Sequence, residues 1–197
     1  MNYSRGWRSA DEVDVVKESK RIFDKSLGTD DLGRLVAAPE GSEIEVTTEF
    51  DELRVAVKLP DDKGDFVRRF QLENGKTPYV IHDNFDLEET GTGLGARIFA
   101  ESVDNYVALG LTRIETFAAG HPGSGTNGYY TWPRLGFEAE IEGPNGNQPV
   151  SDLMRSQAGR DWWKTHGHGF DGTFDLSDGS ESREVLAEYI KLKRSQR

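Results

Sequence analysis

Gly91, Gly93 and Gly95 stand directly ahead of a long amphipathic run, and no other feature of the chain limits its fold as strongly. The stretch from Glu89 to Phe117 reads as a glycine turn, a helix, a short turn and a strand. Glycine admits the backbone conformations a tight bend requires and leaves neighbouring N–H groups accessible. The helix that follows begins with amides lacking intrahelical partners, and its dipole adds positive potential there. The pattern calls for an anionic ligand, and a phosphate-bearing cofactor is the leading class.

The helix itself is expected from Gly93 or Leu94 to Leu109. Ile98, Phe99, Val103, Tyr106 and Leu109 fall near one face, and Gly110 offers a left-handed stop. Leu111 to Ala118 then reads as a strand, which completes a unit like a strand–helix–strand crossover.

Upstream, Ser9 and Glu12 have the spacing of a capping box, which predicts a helix over Ala10 to Leu27 ended at Gly28. A second, short helix is expected over Asp30 to Ala37. Glu43 to Leu59 alternates apolar and polar residues around a Phe50-Asp51-Glu52 corner and reads as a hairpin. Phe66 to Gln71 and Thr77 to Leu87 read as further strands, the second broken near Asp83. Downstream come a loop over Gly120 to Gly128, a helix kept short by Pro133, and a strand over Phe137 to Ile141. A turn from Gly143 to Pro149 precedes a helix over Ser151 to Lys164, weakened in its middle by Gly159. A strand at Thr173 to Leu176 and a helix over Glu181 to Lys193, started by Asp178 or Ser180, complete the pattern.

At 197 residues, without a linker rich in Pro, Gly or Ser, the expectation is one domain. It divides into N-terminal helices over 1–40, a core over 41–142 and a C-terminal extension over 143–197. No apolar run is long enough for a bilayer, so a cytoplasmic, non-membrane protein is expected. The absence of cysteine removes disulfides, thiolate metal sites and a cysteine nucleophile. A net charge of −11 argues against binding nucleic acid, whose backbone demands clustered Lys and Arg. His166-Gly167-His168 has no third ligand nearby, and Gly167 suits a helix C-cap, so no metal is expected. Trp162 and Trp163 lack a basic groove and are expected to clamp the extension to the core.

Two cofactor classes fit the glycine turn. Gly91-x-Gly93-x-x-Ala96 matches a dinucleotide fingerprint, with Glu115 at the distance of a ribose-binding acid. Against it, the polar run from His82 to Thr90 separates the glycines from the preceding β signal. A kinase-type P-loop fails, because no Lys-Ser/Thr pair follows the glycines.

The other class comes from a resemblance. From about Ile44 to Ile141 the chain resembles the GNAT superfamily of N-acetyltransferases, carried by three ordered features. These are the turn from Thr90 to Ala96 before the central helix, the strand Thr112 to Phe117, and Leu135-Gly136-Phe137. The resemblance implies an α/β fold with a mixed, splayed sheet flanked by helices, and acetyl-CoA or another acyl-CoA as cofactor. The pantetheine would run beside the strand ending near Leu87. The pyrophosphate would sit on the amides of Thr90, Gly91, Thr92, Gly93, Leu94 and Gly95, with Ala96 closing the motif. Asn127 is similar to an asparagine that contacts the pantetheine in that family.

The departures bear on chemistry. Thr90 replaces the family's usual Gln or Arg. Trp132 occupies the position of a tyrosine that acts as general acid, and indole has no usable proton near neutral pH. Tyr129 and Tyr130 are nearby, and Tyr130 is taken as the substitute. Glu115 is the candidate base, ahead of Asp83 and Asp86. The expected function is acyl transfer to an amine on a small molecule or peptide, with a cationic acceptor suited to the acidic surface. The other reading is a GNAT-like domain without transfer activity that binds or regulates a protein partner.

Overall fold

A computed structural model describes residues 9–89 and 91–195. The chain is an α/β protein that resolves into two compact units, Met1–Leu111 and Thr112–Arg197.

The first unit holds α1 (Glu12–Phe23), α2 (Thr29–Leu35), β1 (Glu43–Glu49), β2 (Glu52–Lys58), β3 (Gly64–Glu73), β4 (Thr77–Leu87) and α3 (Leu94–Leu109). The four strands pair in sequence order, all antiparallel. Alternation places Val46, Val55, Phe66, Phe70 and Val80 on one face, and Phe23 of α1 and Tyr106 of α3 both meet Phe70 edge-on there. Phe66, Phe70 and Phe99 have no exposed surface, so each contributes about 2–3 kcal/mol of burial. The opposite face carries an ionic network in which Arg69 binds Glu52 and Asp83, while Gln71 bonds Glu52 and receives a bond from Tyr79.

Helix ends follow local chemistry. Asp11, rather than Ser9, caps α1 by accepting the Asp14 amide at 2.9 Å, while Ser9 donates to Glu45. The helix also stops early, at Asp24 in the left-handed region, so Gly28 is instead the N-cap of α2. An aspartate can adopt that conformation at modest cost. The hairpin turn is two residues, Phe50 and Asp51, both at positive φ. The expected strand over Phe66 to Gln71 extends over ten residues, and β4 runs unbroken to Leu87 with an irregularity at Asp83.

The second unit holds β5 (Arg113–Ala118), α4 (Gly128–Arg134), β6 (Glu140–Gly143), β7 (Gly146–Pro149), α5 (Val150–Met154), α6 (Gln157–His166), β8 (Phe170–Asp175) and α7 (Glu181–Ser195). β5 pairs with β8 and β6 with β7, both antiparallel. The turn expected over Gly143 to Pro149 is thus mostly strand. The single helix expected over Ser151 to Lys164 is two. The break falls at Ser156, whose hydroxyl caps α6 through the Gly159 amide at 2.9 Å. Glycine at 159 reflects packing, since a Cβ there would stand 2.3 Å from Leu153 O. Trp163 is fully buried within this unit and donates from Nε1 to Tyr129 O at 2.8 Å.

Candidate functional site

β4 delivers the chain to the glycine turn, and its last residues are closely held. Leu87 pairs with Gly64, where a Cβ would stand 2.1 Å from Asp86 O, and the Glu88 amide bonds Lys63 O at 3.0 Å. The turn that follows uses two left-handed glycines, Gly91 at φ 81° and Gly93 at φ 79°, and Gly93 is the N-cap of α3. The first bond of that helix runs from the Arg97 amide to Gly93 O, so the amides of Leu94, Gly95 and Ala96 have no carbonyl of their own helix to meet. The Thr92 hydroxyl approaches the Leu94 amide at 3.4 Å. A Cβ on Gly91 would meet nothing within 4 Å, so the turn is open on that side. Leu87, Gly93, Leu94, Gly95 and Ala96 are half-buried, and Gly91 and Thr92 are exposed; Thr90 lies outside the described residues. Glu88 and Glu89 precede the turn, and Arg97 is the only cation of α3.

A polar cluster that no motif in the sequence announces lies beneath this segment. Arg68 and His82 lie on the apolar face of the sheet, 0% and 2% exposed, opposite Tyr106 of α3. The Tyr106 hydroxyl stands 3.4 Å from His82 Nε2, and the His82 ring meets those of Phe99 and Tyr106 edge-on. The Arg68 guanidinium lies over the rings of Phe66 and Phe85, 4.6 and 5.0 Å from their centroids. Its Nη1 donates to Val67 O and Asn84 O, each at 2.9 Å. Among the described residues no acceptor has hydrogen-bond geometry with Nε or Nη2, although the nearby Tyr106 hydroxyl favours the charge.

Burial decides the titration of all three groups. It pulls the Arg68 pKa down to about 10, which leaves the charge in place at neutral pH. It holds His82 well below the ordinary histidine range, aided by the adjacent Arg68 charge, and pushes the Tyr106 phenol up to about 12. The signal in the sequence was an arginine at the core parity of a strand, Phe66-x-Arg68-x-Phe70.

In the second unit, Glu115 lies on β5, 38% exposed, with Oε1 accepting from Arg113 Nε at 2.7 Å. Tyr130 is half-buried with the Arg134 guanidinium 5.1 Å over its ring, and Tyr129 is buried with its hydroxyl donating to Lys164 O. Trp132 is 8% exposed and packs edge-on against Phe137 at 5.1 Å. Asn127 is exposed and bridges Gly120, and its carbonyl accepts the Thr131 amide at 3.0 Å. His166 stacks on Trp162 with ring centroids 4.7 Å apart, while His168 meets Trp163 edge-on. Gly167 is the C-cap of α6, in an extended rather than left-handed conformation. Among the described residues no group of three His, Asp or Glu side chains is arranged to hold a metal ion, and no helix is long and apolar enough to cross a membrane. Neither a protein-family model nor a curated protein matches this chain.

Proposed function

We propose that the chain is an acyl-CoA-dependent N-acyltransferase of GNAT type, with acetyl-CoA the first cofactor to test and an amine as acceptor. The observation that carries this reading is the turn between β4 and α3. It has two left-handed glycines, open space beside Gly91, and three helical amides without partners in their own helix. Backbone donors arranged in this way suit a pyrophosphate, because they present positive potential that needs no side-chain cation. Gly91, Thr92, Gly93, Leu94, Gly95 and Ala96 would hold it, with Thr90 assigned by resemblance, and the half-buried end of β4 at Leu87 would lie along the pantetheine. Glu88 and Glu89 oppose an anion there, so binding rests on the amides and on apolar contact with the arm.

Acyl-CoA supplies an already activated thioester when bound. The remaining demands on the protein are to orient the amine and to take its proton. Glu115 is proposed as base and Tyr130 as the donor that replaces the absent tyrosine. A second reading has a specific observation behind it. Trp132 is buried against Phe137 and Glu115 is engaged by Arg113, which suits a domain that binds the cofactor without transferring from it.

Calorimetry with acetyl-CoA, followed by thiol release over a panel of amines, separates these readings. Binding with turnover supports the enzyme, and binding without turnover on any amine supports the binding module. Absence of binding overturns both, and saturable NAD binding would return the dinucleotide class.

A further inference from the structure

We propose that Arg68 is a positioning residue, a buried cation that clamps the irregularity in β4 and thereby sets how Phe85 to Leu87 meet the glycine turn. Arg68 pairs with His82 and Val67 with Asn84, so Asp83 is an extra residue in β4 without a partner in β3. Such a bulge bends its strand and shifts side-chain parity by one. Before it, Val80 and His82 face the helices; after it, Phe85 takes that face opposite Phe66, and Asn84 and Asp86 are exposed. The consequence reaches the turn, because Phe85 Cε1 and Leu87 Cδ1 are the side-chain atoms against which Gly95 closes, at 3.4 and 3.0 Å from the site of a Cβ.

Arg68 holds this geometry from within the core. A single nitrogen, Nη1, bridges the carbonyls of Val67 and Asn84, one on each strand of the first pair after the bulge. The same guanidinium lies against Phe85, the first residue to regain the core face after the bulge. A fully buried guanidinium with no carboxylate bonded to it is expensive to keep. The one carboxylate at the bulge, on Asp83, is bonded to Arg69. A hydrophobic side chain would fill the volume at lower cost, yet only a donor reaching both carbonyls ties the strands where the ladder is disrupted. His82 and Tyr106 complete the polar lining. That the clamped segment meets a cofactor rests on the acyl-CoA reading; the clamp itself does not.

The test compares Arg68→Met and Arg68→Lys with Val46→Ala, a core truncation on β1, by residue-resolved amide hydrogen exchange and by acetyl-CoA titration. Arg68→Met is expected to accelerate exchange at Asn84 to Leu87 at least tenfold more than in β1 and β2. It is also expected to weaken acetyl-CoA binding by tenfold or more, with Arg68→Lys intermediate in both. Val46→Ala is expected to spread its effect without singling out Asn84 to Leu87. An Arg68→Met profile parallel to that of Val46→Ala overturns the proposal. If Arg68→Met does not fold, Arg68→Lys is read by the same criterion, selective acceleration supporting the clamp and a uniform change overturning it. If the wild-type chain does not bind acetyl-CoA, the cofactor reading fails while the exchange profile still decides the clamp.

Discussion

Leu87 Cδ1 lies 3.0 Å from the point where a Cβ on Gly95 would stand, so the first turn of α3 closes on the end of β4 through the missing side chain at position 95. In Gly95→Ala two effects compete. Helix propensity gains up to about 1 kcal/mol, and a terminal leucine methyl must shift by a few tenths of an ångström. The methyl is the flexible end of a half-buried side chain, so thermal melting is expected to show a change within about 0.5 kcal/mol. Gly95→Val adds branches that also meet Phe85. It is expected to cost about 1–3 kcal/mol and to weaken acetyl-CoA binding more than Gly95→Ala does.

Gly91 separates strain from crowding. It holds a left-handed conformation and has open space where its Cβ would be. Gly91→Ala therefore costs backbone strain alone, about 1 kcal/mol in a denaturant titration. Loss of acetyl-CoA affinity beyond that expected from the change in stability would mark the turn itself as the contact surface.

The helix α3 was legible in the sequence from Leu94 to Gly110 because both ends are glycine-encoded and its apolar stripe is continuous. The end of α1 was not, since Asp24 takes a left-handed conformation that glycine usually supplies, and Gly28 was free to cap the next helix. The strand β7 carries Gly146, Asn147, Gln148 and Pro149, and nothing in that composition signals a strand; its pairing with β6 decides. Arg68 and His82 belong to a third kind. Each sits at a core parity, Arg68 with Phe66 and Phe70 and His82 with Val80, but only the register of β3 with β4 shows that the two are paired with each other. The turn was therefore readable from local residue chemistry, while the cluster beneath it required the sheet.

Buried His82 makes stability depend on pH in a defined window. Its folded pKa lies well below 6.5, held there by burial and by the Arg68 charge. Once unfolded it titrates near its ordinary value of about 6.5. Below that pH the unfolded chain binds a proton that the folded chain does not, so stability falls as pH falls. The expected slope is about 1.4 kcal/mol per pH unit, continuing until the folded pKa is reached. Urea titrations from pH 7 to pH 5 measure it, and His82→Gln should flatten that slope while Arg68 and Tyr106, the other titratable groups facing this ring, keep their charge states.

The hairpin turn between β1 and β2 carries avoidable strain. Phe50 and Asp51 have φ of 52° and 62°, a pair of left-handed residues that two-residue hairpins usually fill with Asn-Gly. Phe50 is 81% exposed, so its removal sacrifices little packing. The bond from Arg21 goes to the backbone carbonyl of Asp51 and survives substitution. The double variant Phe50→Asn, Asp51→Gly is expected to gain about 1–2 kcal/mol in chemical denaturation, with no effect on ligand binding.

Substitutions at Glu115 and Trp132 test whether the chain catalyses transfer. If Glu115 takes the amine proton, Glu115→Gln should lower kcat by about 100-fold or more while leaving acetyl-CoA affinity unchanged, because its partner Arg113 lies on the same strand. Trp132→Tyr acts in the other direction. It removes part of a buried indole packed on Phe137, at a cost of about 1–3 kcal/mol, and supplies a phenol where the GNAT resemblance places the acid. An enzyme limited by protonation of the leaving thiolate should gain about tenfold or more in thiol release, visible as a change in the alkaline limb of its pH profile. A chain that binds acetyl-CoA but shows no turnover in the wild type, in Glu115→Gln or in Trp132→Tyr is a binding module. In that case the ion pair of Glu115 with Arg113 is a structural contact of β5.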